Sequence, residues 1–355
     1  MKRVLLVSAT AKRGGAERSL AALAHQLPNF GWEPITALLE RGPLEGWLEG
    51  IEVHHVAKDS RTVEAVTELA LGCDLILSNK WRGQLYAAPA AVRARRPCIW
   101  WQQDFPDTTP AQLLDGSNLA DALVCSSDAV VREQRQAAPW SRPIKIHLGV
   151  SVDEVEALHR SGARVRESLG VTSAPLIGIV GRLSPVKRQD LFLHAAAQVA
   201  SVRPDLRFVV VGDEILGTDG DYAAGLKSLA SELGIGDRVV FAGEQQDAYA
   251  WIAALDVLVH AAEREPFGLV LVEALTLGKP VVAVDAAGPA EIVEHGRSGL
   301  LVSAGDADAF SAAILRALSD PAICRGARTR ARSFTDVRMA EAFSRVLDAF
   351  VRVKT

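Results

Sequence analysis

Short apolar runs alternate with amphipathic, helix-forming segments along this whole chain, and that alternation limits its fold more than any other feature. Strand-length runs fall at Val4–Ser8, Glu33–Leu39, Glu52–Val56, Leu75–Leu77, Ile99–Trp101, Ala122–Cys125 and Lys145–Ile146. The pattern restarts with Ile177–Val180, Arg207–Val211, Val239–Phe241, Val257–Val259, Val281–Val284 and Gly299–Val302. Strands separated by helices form parallel sheets covered on both faces. A glycine-containing turn follows the opening strand of each half, at Gly14-Gly15 and at Gly181-Arg182. Two Rossmann-like α/β domains in tandem are therefore expected, over residues 1–153 and 154–335. The boundary lies around Val150 to Glu156, and a final helix runs from Asp336 to about Val353 after the second sheet is complete.

The 355 residues are too many for one core of ordinary size, and 49% hydrophobic content fills two. A net charge of −4 with a pI near 6.1 gives no support for nucleic-acid binding. Any anionic ligand has to be held by local cations. Cys73, Cys98, Cys125 and Cys324 sit singly in apolar settings without metal-ligand spacing, as buried thiols of a reducing compartment do. The chain passes from Met1-Lys-Arg straight into a short strand, and no apolar run approaches the roughly 20 residues of a membrane span. A cytoplasmic location is expected.

Two segments concentrate chemistry. In the first, Glu265 and Glu273 flank Pro-Phe-Gly-Leu-Val-Leu-Val, between the apolar run ending at His260 and the helical stretch Leu269–Leu277. The pair straddles a strand-to-helix turn, where open α/β sheets bind ligands. Backbone N–H groups of Phe267, Gly268 and Leu269 stand at the helix start, as donors for a phosphate. In the second segment, Leu176–Gly181 runs into Arg182-Leu-Ser-Pro-Val-Lys187-Arg188 before a helix at Leu191. Cations at a helix N-terminus are unfavourable unless an anion neutralises them, so Arg182 and Lys187 point to an anionic ligand.

Gly181-Arg-Leu-Ser-Pro-Val-Lys187, Val210-Val-Gly-Asp213, Glu265-Pro-Phe-Gly268, Glu273-Ala-Leu, Gly278-Lys-Pro-Val-Val-Ala283, Gly288-Pro-Ala-Glu-Ile-Val293 and Gly299-Leu-Leu-Val302 together resemble the C-terminal half of family 4 retaining glycosyltransferases. Gly14-Gly15-Ala-Glu17 and Val124-Cys-Ser-Ser127 resemble its N-terminal half more loosely. The resemblance implies the GT-B fold, with two Rossmann-like domains facing across a cleft. The last helix, within 336–355, crosses back to an N-terminal acceptor domain, and residues 154–335 form the nucleotide-sugar donor domain.

It further implies a nucleotide-diphosphate sugar as donor, a hydroxyl acceptor (glycan, lipid-linked or small molecule), and neither cofactor nor metal. Glu265 then lies near the transferred sugar and Glu273 on the ribose hydroxyls. Phe267, Gly268 and Leu269 offer amides, and Arg182 and Lys187 face the departing diphosphate. Gly15 brings its amide to the same diphosphate. The base rests near Phe241-Ala-Gly243.

Gln103 stands where many members of that family carry histidine, followed by Asp104. Glutamine hydrogen-bonds a sugar hydroxyl but does not titrate near neutral pH, so the expected role of Gln103 and Asp104 is positioning. Trp100 and Trp101 alternate across a strand, and either stack on an acceptor or fill the core. Trp81, Arg82, Tyr86, Arg93, Arg95 and Arg96 form a basic, partly aromatic segment, read either as peripheral membrane contact or as a solvated face. Asp219-Gly-Asp221 resembles a metal-binding motif of a different glycosyltransferase fold, but its loop composition favours a solvated turn. Two alternative functions share the fold: nucleotide-sugar epimerase and non-catalytic nucleotide-sugar binding. No feature of the sequence sets an oligomeric state.

Overall fold

The computed structural model describes residues 1–106, 119–157, 161–214 and 221–351. The chain divides into two compact units, Met1–Ser151 with Phe334–Thr355, and Val152–Ser333.

The first unit is built on a seven-stranded sheet of order β3-β2-β1-β4-β5-β6-β7. Its strands are β1 (Lys2–Ser8), β2 (Trp32–Leu38), β3 (Glu52–His55), β4 (Leu75–Asn79), β5 (Cys98–Gln102), β6 (Ala122–Cys125) and β7 (Ile144–Lys145). All pair in parallel. Val4, Leu5, Leu6 and Val7 are completely buried, as expected of a central strand with helices on both faces. Pro34 is tolerated in β2 because the pairing with β3 begins only at Ile35. Trp100 and Trp101 point to opposite faces and both fill the core. Trp100 lies 5.7 Å from Trp81, and Trp101 packs edge-on against Phe343 at 4.6 Å. Neither ring is left for an acceptor to stack on.

Phe343 belongs to the last helix, Asp336–Phe350, which is capped by the Thr335 hydroxyl. That helix is tied to the start of the chain: Gln26 Nε2 donates to Asp336 (2.9 Å), Trp32 Nε1 donates to Asp348 (3.0 Å), and Lys2 pairs with Asp348 (2.6 Å). Its closing residue precedes the expected Val353, which lies outside the described residues.

The second unit carries a six-stranded sheet of order β10-β9-β8-β11-β12-β13. Its strands are β8 (Leu176–Val180), β9 (Arg207–Val211), β10 (Val239–Gly243), β11 (Val257–His260), β12 (Val281–Val284) and β13 (Leu300–Val302), again all parallel. Phe192 and Phe208, with ring centroids 6.3 Å apart, pack in its core with Phe310 and Ile314. In each sheet the strand order reverses direction beside the first strand, between β1 and β4 and between β8 and β11. The carboxyl ends of strands at such reversals are where this architecture binds ligands.

All four cysteines are free, and burial raises the Cys73 thiol to about 11 and those of Cys98 and Cys125 to about 12. Cys324 departs from the expectation of burial: it ends the short turn Pro321–Cys324 and is partly exposed.

Candidate active site

The loops leaving β8 and β11 carry the charged residues of the second unit. After Val180 the chain passes through Gly181 and Arg182 into the short turn Pro185–Lys187. Three hydrogen bonds shape that path: Leu183 N–H to Asp213 O (3.0 Å), Gln189 Nε2–H to Arg182 O (2.9 Å), and Lys187 N–H to Ser184 O (2.9 Å). After His260 the chain reaches Glu265-Pro-Phe-Gly268, and a helix begins at Leu269. Gly268 has φ 105° and ψ 64° immediately before that helix, a conformation a side chain would strain. The Gly288 N–H donates to Glu265 O at 3.0 Å and fixes the turn from its far side.

Lys187 Nζ and His260 Nε2 both donate to Glu265 Oε2, the histidine at 3.1 Å. The Glu265 side chain is 10% exposed. Burial alone would push its carboxyl up, but the Lys187 ammonium and the His260 hydrogen bond outweigh burial and hold it well below the usual carboxylate range. Glu265 is therefore ionised at neutral pH, with two donors on one oxygen.

Arg188 adopts φ 55° at the start of the helix Gln189–Val202, and its guanidinium pairs with Glu263 (2.6 Å) and Asp190 (3.2 Å). The chain's own carboxylates thus neutralise two of the three cations in this turn, part of what the sequence assigned to a ligand. Arg182 is exposed and pairs with no described carboxylate. Phe267 is buried, Leu269 is the first helical residue, and Glu273, fifth in the helix, is 8% exposed. Phe241 and Gly243 lie on β10 at the sheet edge, where Gly243 O accepts the Gly212 N–H at 2.9 Å. Asp219 and Gly220 lie outside the described residues, and Asp221 precedes the helix Tyr222–Glu232. Among the described residues, no group of three or more His, Cys, Asp or Glu side chains could hold a metal ion.

In the first unit, Gly15 is exposed as the first residue of the helix Gly15–Gln26. Gln103 follows β5 and is 4% exposed. Its Nε2–H donates to Asn79 Oδ1 (2.7 Å) and Ala16 O (3.3 Å), and its carbonyl accepts the Ser126 hydroxyl (3.1 Å). The amide oxygen Oε1 has no hydrogen-bond partner among the described residues. Asp104 turns outward instead and pairs with Lys80 at 2.8 Å, so these sequence neighbours do not act as one group. Lys80 has φ 61° and opens the helix Lys80–Ala94. On that helix Trp81 and Tyr86 are half-buried against the sheet, Arg82, Leu85, Val92 and Arg93 are exposed, and the exposed Arg95 follows as its C-cap. Arg96 is half-buried and donates to Leu71 O at 3.1 Å.

Sequence reasoning missed His260, Asn79 and Lys80. The available signal was positional: His260 and Asn79 are polar residues closing apolar strands next to the two reversals, where a buried polar group requires a partner.

The family model "Glycosyl transferases group 1" matches residues 163–334. D-inositol 3-phosphate glycosyltransferase of Streptomyces avermitilis is 36% identical over 287 residues, covering 73% of this chain and 61% of its own length. The lipopolysaccharide core biosynthesis glycosyltransferase LpsE of Rhizobium meliloti is 29% identical over 236 residues, covering 66% and 64%. The chain thus spans less than two thirds of the length of these curated relatives. Among solved structures, Anabaena HepE in complex with UDP and glucose superposes with a TM-score of 0.88 at 29% identity, covering 98% of this chain and all of that one. Both units have the parallel-sheet architecture of GT-B enzymes, and the chain belongs to the group 1 glycosyltransferases.

Proposed function

We propose that the chain transfers a sugar from a nucleotide-diphosphate sugar to a hydroxyl acceptor, with retention at the anomeric carbon and with cationic side chains in place of a metal. The observation that carries this reading is the ionised, nearly buried Glu265 held beside Lys187 at the β8/β11 reversal. A fixed carboxylate suits a sugar: it accepts hydroxyl hydrogens and opposes the positive charge that develops as the bond to the leaving group stretches. An ammonium has three donors, so Lys187 can keep one on Glu265 and offer others to phosphate oxygens. Arg182 adds a planar fork for the same charge. Glu273, with the amides of Phe267, Gly268 and Leu269, completes the donor site of the Val152–Ser333 unit.

The first unit is assigned the acceptor. Gln103 Oε1 supports this, because a buried carbonyl without a donor suits a substrate hydroxyl. The exposed Arg82, Leu85, Val92 and Arg93, with Arg95 beside them, support peripheral contact with an anionic lipid surface, which co-sedimentation with phosphatidylserine vesicles tests. Three buried free thiols favour a reducing, cytoplasmic setting.

The likeness to Anabaena HepE in complex with UDP and glucose makes UDP-glucose the first donor to assay. The deciding experiment is proton NMR of the product formed from UDP-glucose and a panel of hydroxyl acceptors. The anomeric coupling of the donor is expected to persist; inversion, or an epimerised donor without acceptor, would refute the proposal.

A further inference from the structure

We propose that His260 is a positioning residue that keeps Glu265 aimed while Lys187 redistributes its hydrogen bonds to a bound diphosphate, an inference that rests on the function proposed above. The two donors on Glu265 Oε2 differ in how they are held. Lys187 ends a short turn, and its side chain is 29% exposed. His260 is the last residue of β11, in register with Ala283 of β12, and its side chain is 6% exposed. The loop-borne ammonium is thus the partner that can be drawn away, and the strand-borne ring is the one that cannot.

A carboxylate only accepts hydrogen bonds, so the ring nitrogen facing it carries the proton, and the contact is Nε2–H donating to Oε2. Nδ1 is buried without a hydrogen-bond partner among the described residues. The Nε2–H tautomer leaves only a lone pair at that nitrogen, and no unsatisfied N–H. With Lys187 as its only partner, Glu265 would follow the ammonium or stand buried and unpaired as the lysine turned to phosphate. With His260 in place, one bond to Oε2 stays and the carboxylate keeps its direction. Binding of the diphosphate and placement of the sugar thereby depend on different residues.

The test has two arms. Nitrogen-15 NMR of the histidines in the free protein reads the tautomer without any assay of transfer. An Nε2–H ring at His260 is expected, and an Nδ1–H ring would overturn the proposal. In the second arm His260→Leu and His260→Gln are compared after thermal unfolding shows both folded, since a glutamine amide N–H can replace the ring donor and leucine cannot. His260→Leu should lose on the order of ten- to a hundredfold in kcat, the effect of removing a hydrogen bond to a charged group, with KM for the donor and affinity for UDP nearly unchanged. His260→Gln should recover to within about threefold of the parent. Equal activities of the two folded variants, or a loss confined to KM, would overturn the positioning role. A parent that transfers no sugar from any donor instead refutes the functional reading, and the catalytic role of His260 with it; the tautomer measurement still decides the hydrogen bond.

Discussion

Replacing Lys187 by methionine keeps the stem of the side chain and removes its charge, which strips Glu265 of its ionic partner. Removing one member of a buried pair costs about 3–5 kcal/mol, because the remaining charge stays desolvated. The 29% exposure of the Lys187 side chain and the surviving His260 bond place the expected loss near the low end, at about 3 kcal/mol. For a unit of this size that lowers the unfolding midpoint by roughly 6–12 °C, at about 2–4 °C per kcal/mol. The pH dependence separates this cause from lost packing. In the parent, the Glu265 carboxyl is lowered by folding, so its contribution is fully present above the unfolded value of about 4.3 and disappears as pH falls through the folded value. In the variant burial is opposed by His260 alone, so the carboxyl lies higher than in the parent, and its proton returns at a higher pH as the solution is acidified. The gap in stability between parent and variant is therefore widest near neutral pH and narrows on acidification. Turnover should fall by about 10²–10³, the effect of removing a preorganised donor from a developing anion. Urea denaturation at neutral and mildly acidic pH checks the stability claim; equal midpoints at pH 7, or a gap that does not close in acid, would show that the pair does not hold Glu265 as described.

Gln103→Ala should reduce transfer without moving the pH optimum, since the lost group does not titrate; a shift of more than about one unit in the pH–rate profile would contradict the positioning role. Arg182→Lys should lower kcat/KM on the order of tenfold, because a fork becomes a point charge. Its stability should stay within about 0.5 kcal/mol of the parent, as the exposed side chain pairs with no described carboxylate, and calorimetry that finds more would show a structural role. Gly212 has φ 135°, and a Cβ there would overlap the Gly181 carbonyl oxygen. Gly212→Ala should therefore cost about 1–3 kcal/mol in chemical denaturation, and a variant as stable as the parent would refute the close approach.

The fold was legible because central strands, buried on both faces, must be apolar throughout, and every expected strand, the exposed edges β3 and β7 included, is found with ends moved by at most two residues. Ends shift where a polar residue closes a strand, as His260 and Asn79 do, since hydrophobicity stops before the ladder does. Local chemistry placed Glu265 and Lys187 in turns, yet their shared contact with His260 depends on β8 lying beside β11, a long-range fact absent from either segment. For Trp100 and Trp101, alternation gave opposite faces but not what covers each face. Trp101 is covered by Phe343, and the intervening sequence gives no sign of that pairing. Asp104 escaped for a similar reason, because its partner Lys80 opens a helix earlier in the chain.

The helix Asp336–Phe350 has a consequence for how the chain is made. Trp32, Trp101 and Gln26 are translated before the second unit, and the residues that cover or bond them are translated after it. Between Ser151 and Phe334 lie the 182 residues of Val152–Ser333. At about 5–20 residues per second, the ribosome needs roughly ten to forty seconds to cross them. During that interval the first unit lacks the contacts this helix makes to Trp101, Gln26 and Trp32, while the second unit emerges and folds from its own contiguous sequence. The first unit is completed by its second segment, so a truncation before Asp336 removes the partners of the segment made first.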